Sequence, residues 1–108
     1  MRMQLKCHVP SKEGNEGIKN GTFQKLIDYF QSEFKPEAMY FLAENGCRTA
    51  VIYLDIKDPS QIPVMAEPWF LAMNAKIDIT PVMIPDDLAK ADPGIEKVVR
   101  KFGDLHPK

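Results

Sequence analysis

Along Met3–Val9 apolar and polar residues alternate, with Met3, Leu5, Cys7 and Val9 on one side and Gln4, Lys6 and His8 on the other. That period of two predicts a first strand, closed by Pro10. The Gly- and Asn-rich stretch SKEGNEGIKNG reads as an exposed connection, a loop or a frayed helix start around Ile18. Phe23, Leu26, Ile27, Phe30 and Phe34 then recur at helical spacing, with Thr22 as candidate N-cap and Pro36 as the stop. Two strand-like runs flank Asn45-Gly46, a dipeptide that tolerates the positive φ angles of a tight turn, so residues 38–56 predict a hairpin. Ile62, Met65, Ala66, Trp69, Phe70 and Met73 form a second helical stripe, with Ser60 as N-cap, Pro63 in the first turn and Pro68 as a kink. KIDITPVMI reads as a fourth strand with Pro81 marking an edge or bulge, PDDLAKADPG as a linker and IEKVVRKF as a short amphipathic helix.

The predicted order β, α, β, β, α, β is the ferredoxin-like βαββαβ pattern within the α+β class. It implies one four-stranded antiparallel sheet of order 4-1-3-2 with both helices on one face. The run RTAVIYLDI sharpens that expectation. Ala50, Ile52, Leu54 and Ile56 would meet the helices, yet the opposite face also carries Val51 and Tyr53, joined by Val82 and Ile84 of the last strand. Two helices cover only one face. An apolar patch left over in this way marks a partner surface, and a second copy about a two-fold axis is the commonest partner.

Composition narrows the class further. A chain of 108 residues suits one domain, with the core at about 3–84 and the C-terminal linker and short helix at 85–108. Fourteen Lys and Arg against fifteen Asp and Glu give a net charge of −1, which offers no basic face for nucleic acid. The start MRMQLKCHVP lacks the apolar core of a secretory signal and no run is long enough to span a bilayer, so the expectation is a cytoplasmic protein with no membrane partner. Cys7 and Cys47 stand apart, outside any C-x-x-C, and read as small hydrophobes.

In order, length and the run EPWFLAMNAKIDITPVMIPDDLAKA, the chain resembles the dimeric α+β barrel superfamily, in which two ferredoxin-like sheets face each other across a cavity. The resemblance covers roughly Met3–Ala91 and is strongest over Ala66–Ile84. Within that group the chain is most similar to short stand-alone bacterial proteins, and more distantly, through PWFLAMNAKIDI, to muconolactone isomerase. The superfamily also holds cofactor-free quinol monooxygenases and haem-degrading monooxygenases, whose active-site residues find no position-by-position match here. The resemblance implies a homodimer.

Candidate chemistry gathers on the face away from the helices. With the first strand between the third and fourth, His8 comes near Thr49, Asp78 and Thr80, and a His–Asp pair could take a proton from a carbon beside a carbonyl. The alternative is a structural or solvated histidine. Tyr53 and Lys6 could contact a ligand's oxygen or carboxylate, or else serve as an interface aromatic and a solvent-reaching cation. Asp55 suits a solvated turn, and Trp69, Met65 and Met73 suit the core. His106 and His8 are too far apart in sequence to suggest a metal site, and no nucleotide, hydrolase or zinc motif occurs, so neither metal nor cofactor is expected.

Three functions fit. The first is a dimer holding a small, largely apolar ligand between sheet and helices or between subunits, with contacts from Lys6, Thr49, Tyr53 and Thr80. The second is a cofactor-free isomerase or monooxygenase in which His8, with Asp78, moves a proton. The third is a structural or regulatory dimer without a ligand. An RNA-binding sheet is disfavoured because Tyr53 stands among aliphatics without basic neighbours.

Overall fold

The structure, a computed structural model, describes residues 1–105, so the expectation for His106 lies outside the described residues. Strand β1 (Arg2–Val9) alternates strictly, with Met3, Leu5, Cys7 and Val9 buried and Arg2, Gln4, Lys6 and His8 half-buried on the other face. Strands β2 (Ala38–Glu44) and β3 (Cys47–Asp55) form the hairpin, turned by Asn45 and Gly46 at φ 52° and 75°. Both angles lie in the left-handed region that this dipeptide enters at low cost. Strand β4 (Lys76–Pro81) completes an antiparallel sheet of order β2-β3-β1-β4, the arrangement expected from the sequence.

Helices α2 (Thr22–Phe34) and α3 (Gln61–Met73) lie on one face of the sheet. Leu26 and Phe30 from α2, and Met65, Trp69 and Met73 from α3, close over Leu5, Cys7, Ile52 and Leu54. Phe30, Trp69 and Leu5 have no exposed surface. The ring of Trp69 meets those of Phe30 and Phe23 edge-on at 6.0 and 6.5 Å, a geometry worth about 0.5–1.5 kcal/mol per pair beyond the area buried. Its indole N–H is buried and finds no hydrogen-bond partner among the described residues. Ser60 occupies the N-cap position of α3, while Phe70, read as part of the apolar stripe, is exposed.

Three features depart from the sequence expectation. The Gly-rich connection is a ten-residue helix, α1 (Ser11–Asn20), so the element order is βααββαβα. Its buried residues are Gly14 and Gly17. A Cβ on Gly14 would stand 2.8 Å from the Arg48 guanidinium, and one on Gly17 would stand 2.6 Å from the Met73 methyl. Local propensity disfavours glycine in helices, but here it lets the helix axis approach the sheet and α3, and tertiary packing prevails. Gly21, at φ 82°, joins α1 to α2 and takes the N-cap place expected for Thr22.

The last strand ends at Pro81 rather than running to Ile84. The Val82 N–H still donates to the Arg2 carbonyl at 3.1 Å, but Ile84 has left the sheet and caps the next helix, so it does not belong to the open face. The expected linker and short helix are together one helix, α4 (Pro85–Phe102). Asp87 closes its first turn: its carboxylate accepts the Ile84 N–H at 3.0 Å, and its own N–H donates to the Ile84 carbonyl at 2.9 Å. Pro93 sits inside this helix rather than ending it.

Candidate functional site

The face of the sheet away from α1, α2 and α3 is left uncovered by the described helices, and its register fixes which side chains meet. Three cross-strand rows run over it. Leu42, Thr49, His8 and Lys76 form the first; Tyr40, Val51, Lys6 and Asp78 the second; Ala38, Tyr53, Gln4 and Thr80 the third. Every site residue expected from the sequence, His8, Asp78, Lys6, Tyr53, Thr49 and Thr80, therefore lies on this one face.

His8 is the centre of a polar node. Its Nδ1 stands 3.3 Å from the Thr49 hydroxyl and 3.8 Å from a Glu44 carboxylate oxygen, and its Nε2 stands 3.6 Å from Asp78 Oδ2. Thr49, 2% exposed, also donates its hydroxyl to the Cys47 carbonyl at 3.2 Å. With the threonine proton so engaged, its oxygen accepts a hydrogen bond from Nδ1–H in the tautomer that leaves Nε2 as the ring's open nitrogen toward Asp78. At 3.6 Å the His8–Asp78 contact is too long for a formed hydrogen bond, and it is an ion pair only with the imidazole protonated. Its carboxylate is also mostly in water, with 73% of the side chain exposed against 23% for His8. Lys6 extends its ammonium to Glu44 at 3.2 Å, so one carboxylate holds Lys6 while standing beside His8.

The rest of the face is aromatic and aliphatic. The Tyr53 hydroxyl accepts a hydrogen bond from Gln4 Nε2 at 3.0 Å, and its ring meets that of Tyr40 edge-on at 6.5 Å. Val51 is covered by its neighbours, whereas Tyr40 and Leu42 on the edge strand are exposed. Thr80, opposite Gln4, is exposed and makes no side-chain hydrogen bond among those described, so it borders the site without joining the node.

Glu44 is the residue that sequence reasoning passed over. It was absorbed into the turn signal ENG, yet the hairpin register places it opposite Cys47, in phase with Leu42 and Tyr40. Counting back from a two-residue turn puts Glu44 on the open face. Reaching Lys6 and His8 across β3 additionally needs the diagonal approach that sheet twist gives long side chains.

Burial alone pushes the Cys7 thiol far above its ordinary range, so this buried cysteine is chemically inert in the folded chain. Among the described residues, no group of three or more His, Cys, Asp or Glu converges in a way that could hold a metal ion. No helix among them is long and apolar enough to cross a membrane. A cleft of about 210 Å³ between the hairpin and the helices is lined by Ile18, Phe23, Ile27, Phe41, Leu42 and Thr49. Ligand pockets usually span about 300–1,000 Å³, so this space within one chain is small for one.

The fold and the site together define a small α+β protein whose antiparallel sheet is helix-covered on one side and carries a polar node on the other. No protein-family model matches the chain, and no curated protein matches it.

Proposed function

We propose that the protein is a soluble, cytoplasmic homodimer of the dimeric α+β barrel kind, with a small, largely apolar ligand held between the facing sheets. The observation that supports this reading most is the composition of the open face, where exposed Tyr40 and Leu42 stand directly beside the His8–Glu44–Lys6 node. Apolar side chains there favour covering by a partner. The node would then supply the few polar contacts that orient a ligand in an otherwise apolar space. Lys6 and Tyr53 are the groups for a ligand oxygen, and Thr49 holds His8 in place. The test is native mass spectrometry of the purified full chain. A species of twice the 12.3 kDa chain mass carrying a bound small molecule is expected; a monomer at micromolar concentration would defeat the proposal.

A second reading rests on His8 Nε2 facing Asp78. On the same scaffold it is a cofactor-free isomerase or monooxygenase in which Nε2 takes a proton from the ligand. Positioned acid–base groups contribute about 10²–10⁴ in rate. His8→Ala should lower turnover by that factor while leaving the dimer intact, and unchanged turnover would remove His8 as the base.

A further inference from the structure

Helix α4 carries an apolar stripe that the described residues leave bare. Leu88, Ile95 and Phe102 lie seven residues apart, with Ala91 and Val98 at the intervening positions, the a and d spacing of paired helices. All five are exposed. Ala91, Gly94, Ile95 and Val98 border a shallow, open apolar hollow on this stripe. The helix also contains Pro93, which removes one backbone hydrogen bond, followed by the poor helix former Gly94. It nevertheless buries none of its residues against the body of the protein. Helices are ordinarily sustained by packing of an apolar face, and the described residues supply none for this one.

Two features identify the occupant. The first half of α4 carries Asp86, Asp87 and Asp92 against the single cation Lys90, and the second half carries Lys97, Arg100 and Lys101 against the single anion Glu96. The same polarity suits a lone helix dipole, but in a pair it also sets orientation. Two parallel copies would stack like charge on like charge, whereas two antiparallel copies set Asp92 of one level with Lys101 of the other, and Glu96 with Lys97. Side-chain size points the same way. In an antiparallel pair a positions face d positions, so Phe102 of one copy lies level with Ala91 of the other, and Ile95 with Val98. A parallel pair would set phenylalanine on phenylalanine and alanine on alanine, crowding one layer and hollowing another. We infer that α4 is an assembly helix that pairs antiparallel with α4 of a second copy of this chain, centred between Glu96 and Lys97. This goes beyond the proposed sheet-to-sheet dimer and does not depend on it: about the same two-fold axis it reinforces that dimer, and about another it joins two dimers.

The test uses the full chain with Cys47→Ser, so that buried Cys7 is the only native thiol, and nitroxide labels placed through Lys90→Cys or Lys101→Cys. In the antiparallel pair two labels at position 90 lie about 20 Å apart along the axis, while a label at 90 on one copy and one at 101 on the other lie within about one turn. The separation measured between mixed 90- and 101-labelled chains should therefore be shorter than that between chains both labelled at 90. Ile95→Asp, at a site exposed in the single chain, should abolish the 90–101 coupling and leave the sheet fold intact by circular dichroism. The reverse order of distances, no coupling between copies, coupling that survives Ile95→Asp, or a monomer whose α4 orders only on anionic phospholipid vesicles would each overturn the inference.

Discussion

Replacing Tyr40 with alanine tests the sheet-to-sheet dimer at its most exposed aromatic. The side chain is 60% exposed in the single chain. An aromatic residue buries about 150–250 Å² when covered, so roughly 120 Å² remains available to a partner. At about 25 cal/mol/Å² that area contributes about 3 kcal/mol, of which alanine retains about a third, for a net loss near 2 kcal/mol per protomer. A two-fold axis repeats every contact, which doubles the loss to about 4 kcal/mol and raises the dimer dissociation constant about 10³-fold. The chain itself should lose less. Tyr40 gives up its edge contact with Tyr53 and its cross-strand packing on Val51, so stability should fall by about 1–2 kcal/mol. Sedimentation velocity over a concentration series reads the dissociation constant, and a urea melt reads the chain's stability. Dimerisation with unchanged affinity in Tyr40→Ala would refute the placement of the interface on this face. A wild-type chain that stays monomeric would refute the dimer altogether.

Four further outcomes are expected. Leu5→Ala empties a fully buried position at the centre of the sheet and should cost about 2–5 kcal/mol in a urea melt, with a smaller loss meaning that the helices collapse into the space. Gly21→Ala meets no atom within 4 Å, so its cost of about 1–2 kcal/mol is that of a φ of 82° alone, and Gly21→Asn should recover part of it. In the native protein at pH 8 a thiol reagent should label half-buried Cys47 and spare Cys7 until denaturant is added; rapid labelling of both would contradict the burial of Cys7. Hydrogen bonds from the Ser60 side chain and backbone N–H hold the Asp58 carboxyl below the ordinary carboxylate range. Its contribution to stability is therefore complete above that range and lost as pH falls through the lowered value, so Asp58→Asn should flatten acid unfolding, and an unaltered acid limb would argue against the bond.

How much of this was legible in the sequence depends on which force decides each element. Where alternation or a turn dipeptide decides, as in Met3–Val9 and around Asn45-Gly46, the sequence reading and the structure agree down to the strand order. That order alone brings His8, Lys6, Tyr53, Thr49, Asp78 and Thr80 to one face. Glu44 escaped notice because its approach to Lys6 is diagonal, and diagonals depend on twist rather than on spacing. The helices built around glycine were illegible for a different reason. Gly14 and Gly17 read locally as breakers, yet a Cβ on either would crowd a side chain packed against the helix, Arg48 for the first and Met73 for the second. Gly94 also read as a breaker and is also helical, but an added Cβ there would meet nothing within 4 Å. Within one chain, then, close packing explains two of these glycines and not the third. An open glycine beside a proline, in a helix that buries none of its residues, is what the inferred pairing of α4 with a second copy would account for.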